Sequence, residues 1–161
     1  MRAGLAVLST LLGTAPALAA CPMELAVYRD RDKVAEIDFR PGDEAAAVTN
    51  AFRLLLDGGV VVDGHVMWTA GIERPNGMLL HDCPEGDVTG AEIAACTVWQ
   101  GVIYSVAEDG TVGLLPRAGE PAPKRLIFPD LGYSISASKP GQTLQPGFVP
   151  FDMFELSGCQ E

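Results

Sequence analysis

Residues 34–59 read VAEIDFRPGDEAAAVTNAFRLLLDGG, and how this stretch divides decides the fold class. In its first part Val34, Glu36 and Asp38 alternate with Ala35, Ile37 and Phe39, the period of two that marks a half-buried strand. Pro41-Gly42 ends the run. Asp43-Glu44 then places acids where the positive end of a helix dipole favours them. Val48, Ala51, Phe52 and Leu55 follow the i, i+3, i+4, i+7 spacing of one helical face, and Gly58-Gly59 suits a left-handed stop. A strand followed by a helix predicts an α+β chain.

Upstream, Met23 to Arg29 reads as a strand joined to the first by the charged turn Asp30-Arg31-Asp32-Lys33. Downstream the chain is β-rich. Val60-Val61-Val62 precedes Asp63-Gly64, a two-residue hairpin signal, and His65 to Arg74 runs to a second turn at Pro75-Asn76-Gly77 before Met78 to Cys83 returns. A second helix opens at Thr89, whose capping-box partner is Glu92, and ends near Gly101. Glu108-Asp109-Gly110 joins Val102–Val106 to Thr111–Leu115 as a third hairpin. Arg125–Phe128, Tyr133–Ser138 and Phe151–Leu156 read as short strands, with irregular stretches over Pro116–Pro123 and Lys139–Pro150. Residues 20–161 therefore predict a single α+β domain, a mostly antiparallel meandering β-sheet with two short helices.

The N-terminus carries an export signal. Met1-Arg2 gives a positive start, Ala3–Leu12 an apolar core, and Ala17-Leu18-Ala19 a small-x-small cleavage site, so residues 1–19 read as a signal peptide. The apolar core is shorter than the roughly 20 residues that span a bilayer, and no later segment comes close. After cleavage no transmembrane segment is expected. Leu18-Ala19-Ala20-Cys21 also fits a lipobox, which gives the alternative of an outer-membrane lipoprotein anchored through Cys21. Two features favour simple cleavage: the polar, Pro-containing stretch before Cys21, and the odd set Cys83, Cys96 and Cys159 that acylation would leave.

No C-x-x-C occurs, which removes thioredoxin-like redox chemistry, c-type haem attachment and the common zinc ribbons. Four isolated cysteines in an exported chain predict two disulfides. Of the three pairings, Cys83–Cys96 with Cys21–Cys159 is preferred, a local clip and a bridge between the chain ends. The 161 residues hold 21 acids against 11 Lys and Arg, a formal charge of −10. That balance offers no footprint for a phosphate backbone or an anionic membrane surface, so nucleic acid is excluded as a partner.

No residue set carries a recognisable chemistry. His65 and His81, with Met67, Met78 and Cys83 nearby, suggest soft-metal ligation. With Asn76-Gly77 as the turn, however, His81 faces Ile72 and the histidines stand seven rungs apart, roughly 23 Å at about 3.3 Å per residue. Neither a metal nor a cofactor is expected. A small hydrolase near His65 or His81 is the alternative reading, but no nucleophile elbow accompanies them, and His81 and Asp82, adjacent in a strand, would point to opposite faces. Asp30-x-Asp32 opens like a calcium loop, yet Val34 and Ala35 stand where a ligand and a glycine are needed. Most of the aromatics Trp68, Trp99, Tyr104, Phe128, Tyr133, Phe151 and Phe154 read as core, while Phe148 and its neighbours close the irregular Lys139–Pro150 segment, of a kind that forms binding loops or is simply mobile.

The stretches Glu73-Arg74-Pro75-Asn76-Gly77, Asp87-Val88-Thr89-Gly90 and Cys96-Thr97-Val98-Trp99-Gln100-Gly101 resemble those of uncharacterised exported proteins of alphaproteobacteria. The resemblance implies a bacterial periplasm and no particular activity. The expectation is a periplasmic, non-catalytic binding or interaction module for a protein, an envelope component or a small ligand.

Overall fold

The computed structural model describes residues 20–42, 48–68 and 74–161. Residues 1–19, expected to be a signal peptide, and Asp43-Glu44, expected to open a helix, lie outside the described residues. Ten strands form one sheet: β1 (Ala26–Asp30), β2 (Ala35–Arg40), β3 (Val48–Leu56), β4 (Val61–Met67), β5 (Asn76–Leu80), β6 (Thr97–Val102), β7 (Tyr104–Val106), β8 (Val112–Leu114), β9 (Arg125–Ile127) and β10 (Met153–Cys159). Three short helices accompany them, α1 (Gly90–Cys96), α2 (Leu131–Ala137) and α3 (Lys139–Leu144). The spatial order is β6-β5-β4-β3-β2-β1-β10-β9-β7-β8, with every pairing antiparallel. β6 stands at one end of that order and β7 near the other, yet only the buried Ile103 separates them in the chain. One residue advances the backbone by about 3.8 Å. The sheet must therefore curl until its ends meet, which makes it barrel-like.

The helix expected over 43–55 is a strand from Val48 onward. Burial in β3 alternates, with Asn50, Phe52, Leu54 and Leu56 inward. Those side chains register against β2, Phe52 opposite Phe39, Leu54 opposite Ile37 and Leu56 opposite Ala35. The same residues satisfy both periods, and the cross-strand ladder outweighs the helix propensity of alanine and leucine. Two expected hairpins also disappear. Asp63-Gly64 lies inside β4 and Asn76-Gly77 opens β5. Gly64 stands opposite Phe52, whose ring lies where a Cβ would project, and Gly77 stands opposite Gly101 beneath Trp99 and Ile103. These glycines make room for rings instead of turning the chain.

Other elements follow the sequence reading. The β1–β2 hairpin forms at residues 31–34, and β7 and β8 pair across the turn containing Gly110 at φ 86°. Thr89 and Glu92 form the capping box of α1, but the helix stops at Cys96 and residues 97–102 become β6. Of residues 133–138, read as a strand, 133–137 belong to α2 and Ser138 caps α3, which starts the stretch read as irregular. Among the described residues three short helices stand where two were expected.

The interior is filled by rings. Tyr28, Phe39, Phe52 and Phe128 contact in sequence at centroid separations of 5.9, 5.5 and 5.8 Å, and Phe128 also meets Trp99 and Phe154 at 5.4 and 5.5 Å. The polar handles of the two mixed side chains are satisfied. Tyr28 Oη donates to the Pro123 carbonyl at 2.9 Å and Trp99 Nε1 to that of Pro129 at 2.8 Å. Disulfides join Cys21 to Cys159 and Cys83 to Cys96, with Cα separations of 5.7 and 5.2 Å. Replacing Gly64 by alanine should force the Phe52 ring aside and cost about 1–3 kcal/mol of unfolding free energy, the usual range for overpacking. Urea denaturation checks this, and an unchanged midpoint would mean that the ring relaxes freely.

Candidate functional site

Antiparallel topology places four connections at one end of the barrel: residues 31–34, 57–60, 81–96 and 128–152. All three helices lie in these connections, so this is the helix-capped end.

His65 lies on the outer wall of β4, half-buried, opposite Met78. His81 follows β5. The observed register makes Asp63 oppose Leu80, so the histidines are three residues apart along the sheet, about 10 Å, instead of seven. His81 and Asp82 do meet, contrary to the strand expectation: Nε2 and Oδ2 are 3.3 Å apart. Alternation fails there because Asp82 lies beyond the strand end in the left-handed region, φ 51°. Among the described residues no group of three or more His, Cys, Asp or Glu side chains is placed to hold a metal ion.

A shallow cleft of about 410 Å³ opens beside this pair, walled by His81, Asp82, Glu92, Cys96, Lys139 and Thr143 among others. A histidine and a carboxylate alone perform no acyl transfer; a nucleophile must stand beside the base. The two candidates in the cleft are committed elsewhere. Cys96 is in a disulfide, and Thr143 Oγ1 donates to the Pro140 carbonyl at 2.7 Å. Glu92 is occupied as well. The Thr89 N–H and hydroxyl bond its carboxylate and hold its pKa below the ordinary glutamate value.

Asp30 and Asp32 do not form a calcium loop. Asp30 is buried and its carboxylate accepts the N–H groups of Asp32 at 3.2 Å and Ala35 at 2.9 Å, which closes the β1–β2 turn. Asp38 has a raised pKa, caused first by burial and then by Glu36, although Arg40 and Arg53 approach it at 3.5 and 3.8 Å. Such a shift can mark a functional acid. Asp38, however, projects between strands on the outer wall, where its neighbours are cross-strand partners, and the shift reports packing.

What gathers at the helix-capped end is apolar surface. Tyr133 is 74% exposed, Phe148 66%, Phe151 56% and Val149 44%. The segment 147–152 that carries three of them is strapped across the barrel mouth at three points. Phe148 N donates to Asp57 Oδ1 at 3.4 Å, in the β3–β4 turn. Asp152 accepts the N–H groups of Asp130 and Leu131 at 2.9 and 3.1 Å, which seats the strap on the first turn of α2. The Arg31 guanidinium stacks on the Phe151 ring at 5.4 Å, tying it to the β1–β2 turn. Pro150 is buried beneath, with its carbonyl against Gly132.

Phe148 was visible in the sequence as part of an irregular loop. Tyr133 was not, because a strand over 133–138 would have buried part of that run; in α2 it is Leu131 and Ile135 that face inward. Compared with family models, with curated proteins and with solved structures, the chain finds no match.

The Cys83–Cys96 bridge closes a separation of 13 residues and holds α1, whose one buried residue is Cys96 itself. Removing it as Cys83→Ser/Cys96→Ser should cost roughly 3 kcal/mol in the chain-entropy account. Hydrogen exchange should quicken across residues 81–96 while β1–β3 amides stay protected. Uniform loss of protection would show that the bridge supports the barrel as a whole.

Proposed function

We propose that this protein is a non-catalytic binding module of the bacterial periplasm, and that it engages a partner protein through the aromatic ridge at the helix-capped end. One observation carries the reading: four well-exposed apolar side chains lie at one end, Tyr133 on α2 and Phe148, Val149 and Phe151 on a strap that is pinned in place. Contiguous exposed apolar surface on a small domain marks an interaction site more often than chance exposure does. The pinning supports the same reading, since an ordered ridge loses little conformational entropy on binding. A packed interior argues against a ligand carried inside the barrel. The committed side chains around His81 argue against the hydrolase.

Two disulfides are compatible with an oxidising, extracytoplasmic compartment, and among the described residues no helix is long and apolar enough to cross a membrane. The sulfur of Cys21 cannot carry both a lipid thioether and the bridge to Cys159. That favours simple cleavage after Ala19 over the lipoprotein. Intact mass of the purified protein should match residues 20–161 with all four cysteines oxidised, and a diacylglyceryl adduct on Cys21 would overturn this assignment.

The ridge is tested with a photo-reactive amino acid placed at Tyr133 and, as a control, at Val112, which is 62% exposed at the opposite end. Irradiation of intact cells should yield a discrete protein adduct from position 133 and none from 112. Equal labelling from both, or none from 133, would sink the reading.

A further inference from the structure

The four connections of the helix-capped end contain eight acids, Asp32, Asp57, Asp82, Glu85, Asp87, Glu92, Asp130 and Asp152, against the three bases Arg31, Lys33 and Lys139. The exposed aromatics therefore stand inside a rim of formal charge −5. The opposite end is also acidic, with Glu24, Glu108, Asp109 and Glu120, but there Val112 is the one well-exposed large apolar side chain among the described residues. Among the described residues only one end combines the two features.

On that binding reading, we infer that the ridge takes a cationic protein surface, with arginine or lysine side chains of the partner lying over the rings of Tyr133 and Phe148 and their charges facing Asp57 and Asp130. Three arguments converge. The first is charge complementarity: an acidic rim on a chain of net charge −10 repels acidic partners and steers basic ones toward it. A second copy of the chain meets the same repulsion.

The second is that this protein already stacks guanidinium groups on its own rings, Arg31 on Phe151 at 5.4 Å and Arg117 on Trp68 at 5.0 Å. Phe151 is thereby occupied, whereas among the described residues no cation stacks on Tyr133 or Phe148. Their faces suit the same interaction from outside. The third concerns the acids closest to them. Asp152 is consumed by α2 and Asp32 by Arg31. Asp57 receives a single long N–H contact from the strap, and the side chain of Asp130 makes no capping bond. Those two carboxylates keep acceptor capacity beside the ridge.

The probe is a display library of random dodecapeptides, selected on the oxidised wild-type protein and counter-selected on Tyr133→Ser/Phe148→Ser, with circular dichroism showing the variant folded. Selected peptides should be rich in arginine and lysine. A labelled selected peptide should bind Asp57→Asn/Asp130→Asn about tenfold more weakly, as loss of two exposed charge contacts implies. The asparagines keep the hydrogen bond at 57 and tolerate the left-handed backbone at 130. Binding should also weaken severalfold between about 0.05 M and about 0.5 M salt as the Debye length shrinks. Peptides that require the ridge but are neutral or acidic overturn the cationic partner and leave the binding reading standing. The absence of any ridge-dependent peptide overturns both. A ridge-dependent dimer in sedimentation without peptide replaces the cationic partner with a second copy.

Discussion

Phe128 stands one residue beyond β9, and its ring touches Phe52 of β3, Trp99 of β6 and Phe154 of β10 at 5.8, 5.4 and 5.5 Å. One side chain thus joins walls that are far apart in the strand order. An antiparallel sheet of ten strands left open would twist and expose two edges. Here rings that each bury about 150–250 Å² converge on the axis and make the curled form the one that hides most apolar area. Trp99 extends the effect beyond the sheet, because its N–H reaches the Pro129 carbonyl and so fixes where the chain leaves β9 for α2. The start of α2, and with it Tyr133 of the exposed ridge, is positioned from that cluster.

How far the fold was legible depends on whether the deciding contact was local. β2 shows its alternation within six residues, the Thr89–Glu92 box lies within one turn, and the β7–β8 turn advertises itself in Asp109-Gly110. β3 does not, since Phe52, Leu54 and Leu56 fit either period until Phe39, Ile37 and Ala35 stand opposite them. Gly64 and Gly77 carry the same residue-level signal as a turn, and the rings that require them, Phe52 and Trp99, lie 12 and 22 positions away in sequence. α2 is another non-local case: its first N–H groups are satisfied by Asp152, about twenty residues downstream. The ridge inherits that difficulty, because Tyr133 faces solvent only once residues 131–137 are helical.

Rings fill the described interior of the barrel, whereas the connections at its ends can vary without disturbing that core, which suits the ends to recognition. The strap shows how such an end is kept ordered without a core of its own. Pro150 is its buried residue, and the remaining order comes from polar anchors: Asp57, Asp152 and the stacked Arg31. Had the strap been held by burying Phe148, that ring would not be available to a partner. Polar anchoring separates the task of holding the backbone from the task of presenting the side chains.

The two disulfides divide along the same axis. Cys159 pairs in register with Ala26, so β1 and β10 are already neighbours when Cys21 closes a separation of 138 residues. A loop that long restricts the unfolded chain strongly, by more than 4 kcal/mol in the chain-entropy account, and the bridge reinforces a seam that strand pairing has already defined. Cys83–Cys96 acts differently. It closes a short connection whose helix exposes nearly every side chain, and the Cys96 carbonyl additionally accepts the His81 N–H at 3.0 Å. The long bridge therefore secures the barrel at the end away from the helices. The short one substitutes a covalent bond for the apolar contacts that α1 lacks, which lets residues 81–96 stay polar and acidic at the end where recognition is proposed.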